Sequence, residues 1–356
     1  MATIYDVARH AEVSIGTVSR VLNGHKSVRP VTRRAVLAAI EELGYHPNAL
    51  ARGLLSARTE TIGMLVPNLG TLVVQLIEGA ERVALAHDYT LLIGNAHADE
   101  VVEERYLRKL LERRVDGLLW RSVGTADTLR ATIQAAGVPT VLLFRRQPDP
   151  VLPSAIVDED AAINAAVEDL ASLGHRRIGM IADATEHVGG PYRMRVVRRA
   201  LERLGLPVVP ELMASVDTRA AVAEAAGRML AQIHPPTALI LNTLNLAAVG
   251  LQTLHQRGVR MPDDVSVVAF GDSIWAVAHD PPLSVVTVDV IAHAQDAMEL
   301  LIRHVAGDDA APTAIIHTAR YIRRASCGPA RPDPAVGVPG RSPVRRGLGN
   351  RPGSPT

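Results

Sequence analysis

From Thr61 to about Val305 the sequence alternates short apolar runs with amphipathic stretches, a rhythm that few architectures accept. The runs Ile62–Val66, Thr90–Gly94, Gly117–Trp120, Thr140–Phe144 and Ala155–Val157 read as strands, followed by Arg177–Ala182, Leu212–Val216, Ala238–Leu241, Val265–Phe270 and Val285–Val288. Helical stretches such as Glu103–Arg113, Ala161–Leu173, Arg193–Leu204, Arg219–Gln232 and Ala292–Val305 fall between them. Continuous apolar strands separated by helices are the signature of parallel sheets covered on both faces. Ten strands in two sets of five predict two similar doubly wound α/β lobes over residues 61–327. Ligands of such sheets bind outside the carboxyl ends of the strands. That singles out the loops starting at Asn68, Asn95, Arg121, Arg145, Asp183, Asn242 and Gly271, and a cleft between the lobes.

The residues before Thr61 follow a different period. Ile4, Val7, Ala8 and Ala11 make a helical stripe, with Thr3 and Asp6 placed as a capping box. Ser14 is placed to cap a second helix with Val18, Val21 and Leu22 inward, stopped at Asn23-Gly24. Thr32 is expected to cap a third, whose stripe is Val36, Ile40 and Leu43. Two short helices across a tight turn, with a third behind, form a helix-turn-helix pattern over residues 1–46. Residues 1–58 carry eight Lys/Arg against four acids, and residues 328–356 five Arg against one acid. With a net charge of +1 overall, the body between them is acidic. A basic head on an acidic body points to a polyanionic partner for the head.

Composition excludes several classes. The single cysteine, Cys327, rules out an internal disulfide and multi-cysteine metal sites, and it fits a reducing compartment. No run reaches the ~18 uninterrupted apolar residues of a membrane span. Asp6 and Arg9 stand where a secretory signal needs its apolar segment, so a cytoplasmic location is expected. Residues 328–356 hold seven Pro and six Gly with almost nothing apolar, and are expected to be a disordered tail. No cofactor or metal motif is present.

The stretch TIYDVARHAEVSIGTVSRVLN (Thr3–Asn23) closely resembles the DNA-binding head of the lac repressor (LacI/GalR) family of bacterial transcription regulators. The resemblance continues through TRRAVLAAIEELGYHPNALARGLLS, RRVDGLLW, LGHRRIGMI and RMPDDVSVVAFGDS, in the expected order. It implies a head, a hinge over residues 47–60, and a two-lobed effector-binding and dimerisation domain resembling periplasmic binding proteins. The implied function is that of a dimeric repressor on a pseudo-palindromic double-stranded operator, its affinity set by a small molecule.

A recognition helix presents its amino-terminal residues to base edges while its inner face packs. With Val18 and Val21 inward, Ile15, Gly16, Thr17, Ser19 and Arg20 face out. Ile15 can meet a thymine methyl, Gly16 permits close backbone approach, and Arg20 can take guanine O6 and N7 together. By resemblance, Ile15, Gly16 and Arg20 occupy the base-reading positions, while Ser14, Thr17, Ser19, Asn23, Tyr45 and His46 hold phosphates and sugars. Residues 47–54, PNALARGL, match the family's hinge and are too short to be stably helical alone. By the same resemblance, Asn48, Leu50, Arg52 and Leu54 would be its minor-groove residues, with Leu54 as the wedge that unstacks a base step and bends the duplex.

The effector cleft departs from the family pattern. The aromatic pair usual in the first cleft loop is missing from Asn68–Val74, Leu244 stands where an acid is common, and Gly271 replaces the first acid before Asp272. Asp158 remains, and Arg193 stands at the position of the family's ligand-clamping arginine. The candidate cleft set is thus Asn68, Asn95, Arg121, Arg145, Asp158, Arg193, Asn242 and Asp272. Arginine forks suit carboxylates and phosphates, so a small anionic effector is expected. A periplasmic solute-binding protein has no use for residues 1–58, and an enzyme is disfavoured by the lack of GxSxG, GxGxxG, P-loop or HExxH motifs.

Overall fold

A computed structural model of the chain describes residues 2–22, 27–45, 58–123, 127–144, 152–185, 189–308 and 310–331. The head consists of α1 (Ile4–His10), α2 (Ile15–Leu22) and α3 (Pro30–Glu42). Thr3 and Asp6 form the expected capping box on α1, each bonding the other's backbone N–H. Ser14 Oγ accepts from the Thr17 amide at 3.2 Å, as a cap of α2 should. Thr32, by contrast, is not the cap of α3. That helix starts two residues earlier, where Pro30 supplies a first position with its φ already fixed and no N–H left over. Val7, Ala8, Val18, Val21, Val36, Ala39 and Tyr45 close the small core.

The whole chain divides into two compact units, Met1–Asp158 with Asp289–Thr318, and Glu159–Val288 with Ala319–Thr356. After the head, the first unit runs β1 (Thr61–Val66), α4 (Thr71–Ala86), β2 (Thr90–Asn95), α5 (Glu100–Glu112), β3 (Gly117–Trp120), α6 (Asp127–Ala136), β4 (Thr140–Leu143) and β5 (Ser154–Asp158). Its sheet has the order β11-β5-β4-β3-β1-β2, where β11 is Ala314–Thr318, and every pairing is parallel. Strands β3 and β4 are buried throughout, which is why they read as unbroken apolar runs. Helix α12 (Val290–Val305) also packs here, against α4. A Cβ at Gly79 would lie 2.4 Å from the Ile291 carbonyl oxygen, so glycine is what lets the two helices meet.

The second unit contains α7 (Asp160–Ser172), β6 (Ile178–Asp183), α8 (Gly190–Arg203), β7 (Met213–Val216), α9 (Arg219–Leu230), β8 (Ala238–Leu241), α10 (Leu244–Gln256), β9 (Ser266–Phe270), α11 (Ile274–Ala278) and β10 (Ser284–Thr287). Its sheet order is β12-β10-β9-β8-β6-β7, with β12 (Arg320–Ile322) antiparallel to β10 and the rest parallel. Among the described residues, each sheet therefore has six strands rather than the expected five. The sixth comes from residues 314–322, and α12, which follows the second set of strands in sequence, belongs to the first unit.

The expected boundary of the tail also moves. The Gly328 amide donates to Ser266 Oγ, the Ala330 amide donates to the Leu173 carbonyl, and Arg331 pairs with Asp264. Buried His175 completes this anchor. Its Nε2 donates to the Gly328 carbonyl at 3.0 Å, and its Nδ1 lies 2.9 Å from Thr237 Oγ1. Burial holds its pKa below the usual histidine range, partly offset by the bond to Gly328. Residues 332–356 lie outside the described residues.

Candidate nucleic-acid interface and ligand face

The head places its two valines and its polar residues as a groove-reading helix requires. Val18 and Val21 are buried, whereas Ser14, Ile15, Gly16 and Arg20 are exposed and Thr17 and Ser19 half-buried. Ile15 is 40% exposed although β-branched and apolar, which an ordinary solvated helix face does not need. A Cβ at Gly16 would find only Ser14 Oγ, at 3.8 Å. Nothing inside the head demands a glycine there, so the small residue leaves the outer surface low. Ser14 Oγ and Thr17 Oγ1 hydrogen-bond each other at 2.9 Å and stand side by side on that surface. Tyr45 is placed differently from the expectation. Its ring belongs to the head's core, only 9% exposed, with the chain turning just before it at Gly44. Asn23, His46, Asn48, Leu50, Arg52 and Leu54 lie outside the described residues.

In the first unit, Asn68, Asn95, Arg121 and Asp158 all fall at or just beyond the carboxyl ends of their strands, as the strand assignment implies. Asn68 and Asn95 shape their loops: the Oδ1 atoms accept from the Gly70 and His97 amides, each at 3.0 Å. Arg121 ends β3 and is nearly buried, its guanidinium carbon 5.5 Å from the Phe144 ring centroid. Phe144 itself has φ +59, a left-handed conformation that an aromatic residue rarely adopts. Arg145 lies outside the described residues.

Behind Arg121 is a group that sequence reading missed. His293, in the first turn of α12, is wholly buried between the rings of Phe144 and His317, at centroid distances of 4.5 and 5.0 Å. Among the described residues, neither of its ring nitrogens has a hydrogen-bond partner. Burial, with the charges of His317 and Arg121 beside it, pushes its pKa down to about 3, so the imidazole is neutral at physiological pH. The only hint in the sequence was a histidine on an otherwise apolar helix face.

In the second unit the arginine expected to clamp a ligand is already engaged. Helix α8 starts hard against β6: a Cβ at Gly190 would overlap the Asp183 carbonyl. One turn on, Arg193 forks onto Glu159, with Nε to Oε2 at 2.7 Å and Nη2 to Oε1 at 2.5 Å. Its Nη1 donates to the Asn242 carbonyl at 2.9 Å, and its guanidinium carbon lies 4.4 Å from the Phe270 ring centroid. Arg193 and Glu159 are 14% and 12% exposed. Asp272 is likewise held, in a two-pronged pair with Arg324. The structure thus brings Arg193 and Asn242 together, but neutralises Arg193 and Asp272 with partners 34 and 52 residues away. This removes the argument for an anionic ligand at Arg193, because its fork is closed by a carboxylate of the chain itself. Asn242 is fully buried, and Thr243, between it and Leu244, caps α10 through its hydroxyl.

Among the described residues no His/Cys/Asp/Glu group is arranged to hold a metal ion, and no helix is long and apolar enough to cross a membrane.

Comparison with known proteins finds two family matches. Residues 3–48 match the family described as bacterial regulatory proteins, lacI family, and residues 167–327 match the periplasmic binding protein-like domain. Catabolite control protein A of Priestia megaterium is 32% identical over 305 residues, covering 85% of this chain and 92% of that protein. The HTH-type transcriptional repressor PurR of Photobacterium profundum is 32% identical over 308 residues, covering 86% and 92%. Among solved structures, the transcriptional regulator CelR–cellobiose complex is 28% identical with a TM-score of 0.70, over 92% of this chain and all of that one. The lac repressor dimer bound to operator and the anti-inducer ONPF is 24% identical with a TM-score of 0.82, over 92% and 99%, a likeness of fold.

Proposed function

The chain belongs to the lacI family of bacterial regulatory proteins, and from that premise we propose that it is a cytoplasmic repressor binding a pseudo-palindromic operator as a homodimer. Relatives of this similarity are transcription regulators rather than enzymes, and that sets the enzymatic reading aside. The observation that carries the proposal is α2, whose valines close the head's core while Ile15, Gly16 and Arg20 form an exposed strip of base-reading chemistry. Each head reads one half-site, and the two-fold symmetry of the dimer sets the inverted repeat. A small molecule bound by the carboxyl-end loops of the sheets modulates affinity. It does so only to the extent that it favours one of two states of the protein. The cellobiose complex of a relative supports such a ligand. Asn68, Asn95, Arg121, Asp158, Arg193, Asn242 and Asp272 are the residues to test in contact with it.

The test is recovery of genomic DNA bound to the tagged chain. Fragments sharing one inverted repeat are expected; fragments with no common sequence would overturn the proposal.

A further inference from the structure

We propose that Asp116 is a positioning residue for DNA binding: its carboxylate pre-orders Thr59 and Glu60, through which the head and residues 46–57 join β1. The inference rests on the reading of the chain as an operator-binding regulator.

Asp116 immediately precedes β3, and its own N–H donates to the Thr61 carbonyl at 2.8 Å, extending the ladder with β1. That pairing does not need the carboxylate, which is used instead on the two residues before the strand. The Thr59 amide donates to Oδ1 at 2.8 Å and to Oδ2 at 3.2 Å, and the Glu60 amide donates to Oδ2 at 2.9 Å. Thr59 Oγ1 adds bonds to Oδ1 at 3.1 Å and to the Arg114 carbonyl at 2.9 Å. Two consecutive backbone amides on one carboxylate define a turn, and Glu60 completes it at φ +52, a strained conformation for a residue with a side chain. On the other side, the Glu60 carbonyl accepts from the Thr90 amide at 2.8 Å, and Arg58 Nη2 donates to the Val305 carbonyl at 3.1 Å. The entry of the chain into the first unit is therefore fixed from β2, β3 and α12 at once.

The same strand reaches the ligand face. Strand β3 is four fully buried residues long, with Asp116 before it and Arg121 after it, and the Arg121 amide donates to the Leu65 carbonyl of β1 at 2.9 Å. A shift of β3 caused at its Arg121 end would reach the Asp116 carboxylate through a strand without slack.

The consequence for DNA binding is entropic. Fixing the backbone of one residue changes an equilibrium constant by roughly tenfold. If Asp116 keeps Thr59 and Glu60 ordered in the unbound protein, the operator complex need not order them. Without the carboxylate, that ordering is added to binding wherever both heads must be held at a set spacing. Random DNA makes no such demand.

The experiment uses the full chain and a duplex carrying the inverted repeat recovered from genomic fragments, with a scrambled duplex as the non-specific probe. Asp116→Ala is expected to bind the repeat at least tenfold more weakly and the scrambled duplex unchanged, well below its melting temperature. Asp116→Asn, which keeps one acceptor, should fall between, and it carries the test if the alanine variant does not fold. Amide hydrogen exchange at Thr59 and Glu60 should quicken in step. Ile133→Ala, a core truncation in α6, serves as the stability control and should bind the repeat normally. Wild-type affinity despite faster exchange at Thr59 and Glu60 would overturn the proposal, as would an equal loss in Ile133→Ala. The absence of any shared repeat would remove the functional reading itself, before a variant is made.

Discussion

Replacing His293 with leucine should make the first unit more stable and less sensitive to acid. In the wild type, the imidazole is fully buried with both ring nitrogens unbonded, and its pKa is about 3 against an ordinary 6.5. A group whose folded value is depressed in this way resists protonation in the folded state while the unfolded chain accepts the proton freely. Stability is then complete above pH 6.5 and falls by about 1.4 kcal/mol per pH unit between 6.5 and 3. At pH 5 the loss is about 2 kcal/mol. Each orphaned nitrogen carries a further desolvation cost of order 1 kcal/mol at any pH, which leucine does not have. The assay is urea unfolding followed by tryptophan fluorescence in a Trp275→Phe background. Trp120, buried in the first unit with its indole N–H on Glu103 Oε1 at 2.9 Å, then reports that unit alone. Relative to its parent, His293→Leu should gain about 1–2 kcal/mol at pH 7.5. Its loss between pH 7.5 and 5 should be smaller by about 2 kcal/mol. An equally steep fall in both proteins would show that His293 is not a neutral, unbonded imidazole.

Three further outcomes follow. Arg193→Ala and Glu159→Ala should each destabilise the second unit by roughly 3–5 kcal/mol, while the double variant loses much less than the sum; Trp275 fluorescence reads this, and strict additivity would refute the pair. Gly79→Ala forces α4 away from the Ile291 carbonyl and should cost the first unit about 2 kcal/mol or more, seen by Trp120. Leu54→Ala, placed as the wedge by the family resemblance, should leave melting unchanged but reduce operator bending measured by energy transfer between end-labelled duplex dyes; undiminished bending would make the segment a plain linker.

The central strands were legible in the sequence because they pair in parallel, where burial on both faces leaves an unbroken apolar run such as Gly117–Trp120. Strand β11 was missed for the converse reason. It alternates exposed and half-buried residues at a sheet edge, and β12 is three residues long. The head was legible because helical period, capping and exposed polar residues all occur within 45 residues. The ligand face was only half legible. That Asn242 and Asp272 lie near strand ends follows from local pattern, whereas Arg193 was placed by family resemblance. That Glu159 closes the fork of Arg193 and Arg324 that of Asp272 does not, since pairing across 34 and 52 residues leaves no periodic trace. Arginine makes up nearly all of the chain's 38 basic residues, so an arginine at a strand end carried little information about a ligand until its partners were known.

Selection from a random duplex pool shows whether α2 reads base edges. The wild-type chain should enrich an inverted repeat of two half-sites. Arg20→Ala should enrich the same repeat with one guanine–cytosine preference erased at symmetry-related positions, because the two-pronged guanine contact alone is lost. Identical pools from both proteins, or a wild-type pool without any repeat, would contradict the account.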